Sequence, residues 1–173
     1  MQHRIDDIPL RSGGTTGRLF VTNFSAVGPD PQKALDRVGA SSMACMLTPR
    51  EIELRYPEYS QWLDAHSDES SSPRALWLPT PDGGVTNDAP VLELVETVVA
   101  ALDRGEHVLV HCGAGMARTA VIGMLTMIAF GADPATAAID FRAARPGGGP
   151  DGPPQEQQIA RLTPKARRLR PGS

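Results

Sequence analysis

Cys112 and Arg118 stand six positions apart in the stretch His111-Cys112-Gly113-Ala114-Gly115-Met116-Ala117-Arg118-Thr119, directly after the apolar run Val108-Leu109-Val110. The pattern reads as a buried strand, a short glycine-bearing loop and the start of an apolar helix. Backbone N–H groups of such a loop, with the positive end of the following helix, converge on one small concavity and bind anions. The donors that would hold a phosphate there also favour a thiolate over a thiol. Arg118 brings a planar fork of donors that fits a pair of phosphoryl oxygens, a geometry lysine lacks. A thiolate aimed at a bound phosphoryl group attacks phosphorus and forms a phosphocysteine, which divides one difficult displacement into two easier ones. The amides of Gly113, Ala114, Gly115, Met116 and Ala117, together with Arg118, would then stabilise charge on the equatorial oxygens.

A leaving alkoxide or phenoxide needs a proton. Asp82, thirty residues before Cys112 in the turn Pro81-Asp82-Gly83-Gly84, is the candidate donor. The glycines of that turn give the loop freedom to close over a substrate. Asp88 is a rival acid, but it directly precedes an amphipathic helix and is better used as its N-cap. Thr119 follows Arg118, so its hydroxyl is placed to donate to the sulfur and ease its departure in the second step. His111 is expected to orient the loop through hydrogen bonds. Cys45 lies in an apolar strand and reads as core rather than as a redox partner of Cys112. Arg145 is open between supporting a closing loop through a carboxylate and being an ordinary surface arginine. His3, His66 and His107 show no ligand spacing, so no metal site and no cofactor are expected.

The elements that must position these residues alternate between strand and helix. Strands are expected at 18–22, 42–47, 75–78 and 107–110. Helices are expected from Asp30-Pro31 to Val38, from the capping box Thr48-Pro49-Arg50-Glu51, over 59–63, and from Asp88 to Gly105. Further helices run from Arg118 to Phe130, from Asp133-Pro134 to Ala144 and from Gln155 to about Leu169. The helix after Arg118 is apolar nearly all round and should be buried at the centre. Residues 68–73 read as a polar loop tip or insertion. Such alternation predicts an α/β fold with a central, largely parallel sheet of about four to five strands flanked by helices. Ligands of such sheets sit outside the carboxyl ends of the strands. The loops after Leu78 and after Val110 both leave such ends and should meet at one edge.

At 173 residues the chain fits one domain, divided into an N-terminal arm over 1–17, a catalytic domain over 18–162 and a basic tail over 163–173 that ends the last helix. The net charge of −3 argues against a nucleic-acid partner. The first residues have no apolar core, so no signal peptide is expected, and the longest apolar run, 120–130, is too short to span a membrane. Two cysteines without framework spacing suit a reducing compartment, and the protein is expected to be cytoplasmic.

The segment from His111 to Thr119 resembles the signature loop of the cysteine-based protein tyrosine and dual-specificity phosphatases: His-Cys, five residues, Arg, then Ser or Thr. Leu78-Pro79-Thr80-Pro81-Asp82-Gly83-Gly84 is similar to their general-acid loop. The order of segments is most similar to the compact branch typified by kinase-associated phosphatase, over roughly residues 18–162. The resemblance implies the cysteine-phosphatase fold and a phosphorylated protein or peptide as substrate. It also implies a glutamine on the closing loop that positions the attacking water. Gln155, Gln157 and Gln158 compete for that role, and Gln155 is favoured because it begins the helix nearest the loop. Ala117 and Ala120 stand where many members have glycine. Two other functions stay open: a catalytically weak phosphate-binding docking module, and a phosphatase of a small phosphorylated metabolite.

Overall fold

The computed structural model describes residues 3–11 and 15–171. Five strands, Asp6–Ile8 (β1), Leu19–Thr22 (β2), Ala40–Cys45 (β3), Arg74–Trp77 (β4) and His107–His111 (β5), form one sheet in the order β1-β2-β5-β3-β4. β2, β5, β3 and β4 run parallel, and β1 is antiparallel to β2. One face is covered by helices Phe24–Val27 (α1), Pro31–Val38 (α2), Pro49–Arg55 (α3) and Glu58–Ala65 (α4). The other carries Asp88–Asp103 (α5), Arg118–Ala129 (α6), Pro134–Ala144 (α7) and Pro153–Arg167 (α8). This is the expected α/β architecture, with a sheet buried on both sides. No helix among the described residues is long and apolar enough to cross a membrane.

The period of two along each strand divides the core. Val108, Val110 and Cys112 point to the α5–α8 side, while Leu109 points to the α1–α4 side. On β3, Ala44 faces the first side and Met43 and Cys45 face the second. Cys45 and Cys112 therefore lie on opposite faces of the sheet. Every residue of α6 is buried, as its all-round apolar character predicts. Its amino end consequently stays fixed beneath the loop that precedes it.

Register aligns the functional edge. Trp77 pairs with Cys45, Cys45 with His111, and His111 with Thr22, so four strands end in one row. The segments leaving that row carry Asp82, Glu51, Cys112 and the start of α1.

Several local expectations are corrected. Residues 1–17, expected to be an arm, contain β1, whose Asp6 and Ile8 are buried while Asp7 is exposed. Three residues are too few for an alternation to be read from sequence. Ser12, Gly13 and Gly14 of the expected loop fall outside the described residues. The single turn α1, capped by the Asn23 side chain on Ala26 N–H, was not anticipated. Asp88 is the first residue of α5 rather than its cap, which is Asn87, and the Asp88 carboxylate is drawn instead to Arg161 at 3.0 Å. The expected basic tail is packed where it is described. Thr163 and Ala166 are buried, and Arg170 pairs with Asp103 at 2.9 Å and stacks 4.0 Å over the Phe130 ring.

Candidate active site

The loop from Cys112 to Ala117 is held from outside at each successive carbonyl. Gly113 O accepts from Phe24 N at 2.9 Å, and Met116 O from Gly149 N at 3.1 Å. Ala114 O and Gly115 O accept from Arg145 Nη2 and Nε at 3.0 and 3.1 Å. In a planar trans peptide the N–H points opposite to the C=O. The amides of Ala114, Gly115, Met116 and Ala117 are thereby turned inward, around Cys112. Gly115 makes the curve possible: its φ is +71°, and a Cβ there would lie 2.2 Å from Thr22 O.

Arg145 is thus no surface arginine. It is buried and ion-paired at 2.9 Å with buried Asp6 of β1, so the edge strand braces the loop through it. Asp6 is paired with Arg4 as well, so it is removal of the Asp6 carboxylate that would leave the buried Arg145 charge without its counter-ion.

His111, the last residue of β5, is fully buried. Its Nδ1 is 3.2 Å from Cys112 O and its Nε2 is 2.6 Å from the Tyr59 hydroxyl. A carbonyl only accepts, so Nδ1 carries the proton and Tyr59 donates to Nε2. Burial pushes the imidazole down to about 4, with Arg118 adding to the shift and the Cys112 carbonyl opposing it, so the ring is neutral near pH 7. Burial likewise pushes the Cys45 thiol up to about 12, which keeps it an inert core group. Cys112 Sγ lies 4.0 Å from the Thr119 hydroxyl.

Arg118, only 3% exposed, is locked in place by a residue read from sequence solely as a helix cap. Its Nη1 and Nη2 donate to the two oxygens of Glu51 at 2.9 and 2.8 Å, and Nη1 also donates to Thr80 O at 2.8 Å. The same Glu51 completes the capping box by accepting from Thr48 N and Oγ1, both at 2.9 Å. Burial works against the Glu51 charge, but Arg118 and Thr48 outweigh it and hold the carboxyl at about 2. Burial also opposes the Arg118 charge, and Glu51 and Cys112 more than offset it, so the guanidinium is held above its ordinary value. Among the described residues, Arg118 Nε is buried without a partner. A bound oxyanion would satisfy it.

The acid loop reaches the same point from β4. Leu78 N and Thr80 N donate to Cys45 O and Met46 O at 2.9 and 3.1 Å, so the loop's first leg extends the sheet edge. Trp77 contributes its indole N–H to Leu47 O at 2.8 Å. A turn closed by Gly84 N on Pro81 O then projects Asp82, whose side chain is 84% exposed with Oδ1 3.3 Å from Arg118 Nη2. Asp88, the rival acid, is committed to Arg161 and to Gln158. Of the three candidate glutamines, Gln157 is exposed and Gln155 and Gln158 are buried. Gln155 accepts from Asp151 N at 2.7 Å and donates to Gly84 O at 3.0 Å, so both ends of the amide expected to position water are already engaged.

Glu51, Asp6 and Tyr59 are the supporting residues that sequence reasoning missed. Only Glu51 carried a signal, and the capping box accounted for it completely. Among the described residues no three His, Cys, Asp or Glu side chains group as metal ligands.

Compared by sequence alone, the chain matches no family model and no curated protein. Its fold, however, is that of the dual-specificity and tyrosine phosphatases. It is similar to kinase-associated phosphatase, solved with its catalytic-site cysteine replaced by serine, at a TM-score of 0.74 and 16% identity over 97% of this chain and 98% of that one. It is similar to the human tyrosine phosphatase-like serine/threonine/tyrosine-interacting protein at 0.68 and 19%, over 85% and 91% of the two chains. A mouse putative dual-specificity phosphatase, complexed with zinc tungstate, gives 0.64 and 19% over 90% and 89%. Kinase-associated phosphatase thus shares its architecture with this chain over nearly the whole of both.

Proposed function

We propose that this protein is a metal-independent phosphomonoesterase that hydrolyses phosphotyrosine, and also phosphoserine or phosphothreonine, in proteins through a phosphocysteine. The observation that carries the reading is the ring of inward amides around Cys112, together with an Arg118 Nε that is buried and unpartnered among the described residues. In the first half-reaction the Cys112 thiolate forms an S–P bond as the bond from phosphorus to the leaving oxygen breaks. Asp82 gives its proton to that oxygen. In the second, water attacks phosphorus and yields a proton to the Asp82 carboxylate. The S–P bond breaks while the Thr119 hydroxyl supports the departing thiolate. Loop amides and Arg118 stay on the equatorial oxygens throughout, already oriented before substrate arrives. No lysine stands between Cys112 and Arg118, which favours a singly phosphorylated group over a polyphosphorylated lipid and leaves a small phosphorylated metabolite as the alternative substrate.

Turnover of an aryl phosphate without added metal tests the reading. Cys112→Ser should abolish it, and Asp82→Asn should lower it roughly 10²–10⁴-fold for a poor leaving group. Equal turnover by wild type and Cys112→Ser would reject the mechanism. A second reading, a phosphate-binding docking module, draws support from the fold neighbour described as phosphatase-like and interacting. Vanadate binding with no turnover in any form would favour it.

A further inference from the structure

We infer that Gln155 and Gln158 are positioning residues that hang the outgoing leg of the acid loop from α8 and so place Asp82 over the phosphate loop. The inference rests on the proposed reaction for its kinetic consequences but not for its geometry. The two glutamines are one turn apart on α8, so they lie on one helix face, and they are 0% and 1% exposed. Each spends its amide nitrogen on an alternate carbonyl of the same leg. Gln155 Nε2 donates to Gly84 O at 3.0 Å, and Gln158 Nε2 donates to Thr86 O at 2.7 Å. Gln158 also reaches Asp88 Oδ1 at 3.1 Å, where α5 begins. Gln155 Oε1 takes the Asp151 N–H at 2.7 Å, which joins the loop before α8 to the acid loop.

The incoming leg is fixed separately. Leu78 and Thr80 hang on the edge of β3, and Arg118 holds Thr80 O. Only the turn from Pro81 to Gly84 projects between these supports, and it carries Asp82. With one leg on the sheet and the other on two glutamines, the height of the turn above Arg118 is set by both. Without the amides, the Gly84 and Thr86 carbonyls lose their donors and the leg is free to lift toward water. Asp82 would then lose its place by the leaving oxygen while Cys112, the loop amides and Arg118 stayed as they are. The defect should therefore fall on the two proton transfers of Asp82, donation to the leaving oxygen and acceptance from water, and kcat/KM reads the first of them.

The test replaces the amides with Gln155→Leu and Gln158→Leu, singly and together, and compares phenyl phosphate with 2,4-dinitrophenyl phosphate, whose leaving group needs no proton. We expect kcat/KM for phenyl phosphate to fall roughly 10–100-fold in the double variant, with a change below about threefold for the dinitrophenyl ester. The alkaline limb of the phenyl phosphate pH profile, which requires a protonated acid, should flatten, and in an Asp82→Asn background the two leucines should add no further loss. Amide hydrogen exchange over residues 82–87 should rise. Equal losses on both esters overturn the inference. So does a burst of phenol at the wild-type rate followed by accumulation of phosphocysteine, the mark of a residue that acts on water alone. Unchanged exchange also overturns it, whatever the reaction proves to be. If the leucine variants do not fold, Gln158→Glu keeps the side chain's size but cannot donate to Thr86 when ionised, and the same comparison applies. Activity that survives Cys112→Ser would reject the proposed reaction while the exchange readout still judges the glutamines.

Discussion

The two loops that meet at the carboxyl edge of the sheet are built on opposite terms. The signature loop is fastened at four consecutive carbonyls, braced by a buried Arg145–Asp6 pair and seated on the buried helix α6. The acid loop is hydrogen-bonded at its legs, and its tip leaves Asp82 84% exposed, touching Arg118 at 3.3 Å. The difference follows from what each does in the proposed reaction. Donors that stabilise transition-state charge are effective when they need no rearrangement at the moment of reaction, so rigidity serves them. A proton donor must admit a substrate beneath it and release a product, so an open tip on fixed legs serves it.

The sharpest way to break the contrast uses two glycines of nearly equal conformation. Gly115 and Gly83 have φ of +71° and +70°. At Gly115 a Cβ would stand 2.2 Å from Thr22 O and 2.9 Å from Arg145 Nη2, against backbone and a braced side chain. Gly115→Ala should cost about 3 kcal/mol or more, a left-handed penalty with a backbone clash added. A thermal melt should fall by roughly 6–12 °C. Vanadate binding, followed by calorimetry, should be lost with it, because the inward amides depend on that curve.

How far the sequence revealed this arrangement depended on whether a residue's role was local. Cys112, Arg118 and Asp82 were legible because the chemistry needs those types in that order, and the α/β alternation was legible from apolar runs and caps. Asp6 was not, because its partner Arg145 is 139 residues away and β1 is a three-residue strand. Glu51 was hidden by its own success as a cap: one carboxylate serves Thr48 and Arg118 together, and the first role needs no second explanation. Gln155 was found as a residue but not as a contact, since nothing in a helical sequence states which carbonyl a buried amide will meet.

The rigid loop should also announce itself in the pH dependence of stability. His111 is lowered from 6.5 to about 4 because the folded protein buries it neutral. Its contribution is complete above 6.5, declines as the unfolded chain takes up the proton, and is lost by the time pH has fallen through 4. Glu51, lowered from 4.5 to about 2, adds a second loss at more acid pH with the same sign. Melting temperature against pH should therefore fall in two stages. His111→Asn should remove the first stage and leave the second, and Glu51→Gln should do the reverse. A single stage that neither variant alters would mean that the buried network under the signature loop carries no titration-linked stability.

The smallest effect belongs to Gly83→Ala, and it decides whether the acid loop is open at its tip. Its φ imposes the same left-handed cost as at Gly115, about 1–2 kcal/mol for alanine. The nearest atom to the new Cβ is Asp151 Oδ2 at 3.6 Å, an ordinary contact on an exposed carboxylate. With no clash to add, the melt should drop by only roughly 2–8 °C. Vanadate affinity should not change, because no loop amide, nor Arg118, touches that turn's Cβ. Any loss of kcat/KM should appear with phenyl phosphate and not with the dinitrophenyl ester. Should Gly83→Ala cost as much as Gly115→Ala, or weaken vanadate, the tip is packed as tightly as the signature loop and the division of labour between them fails.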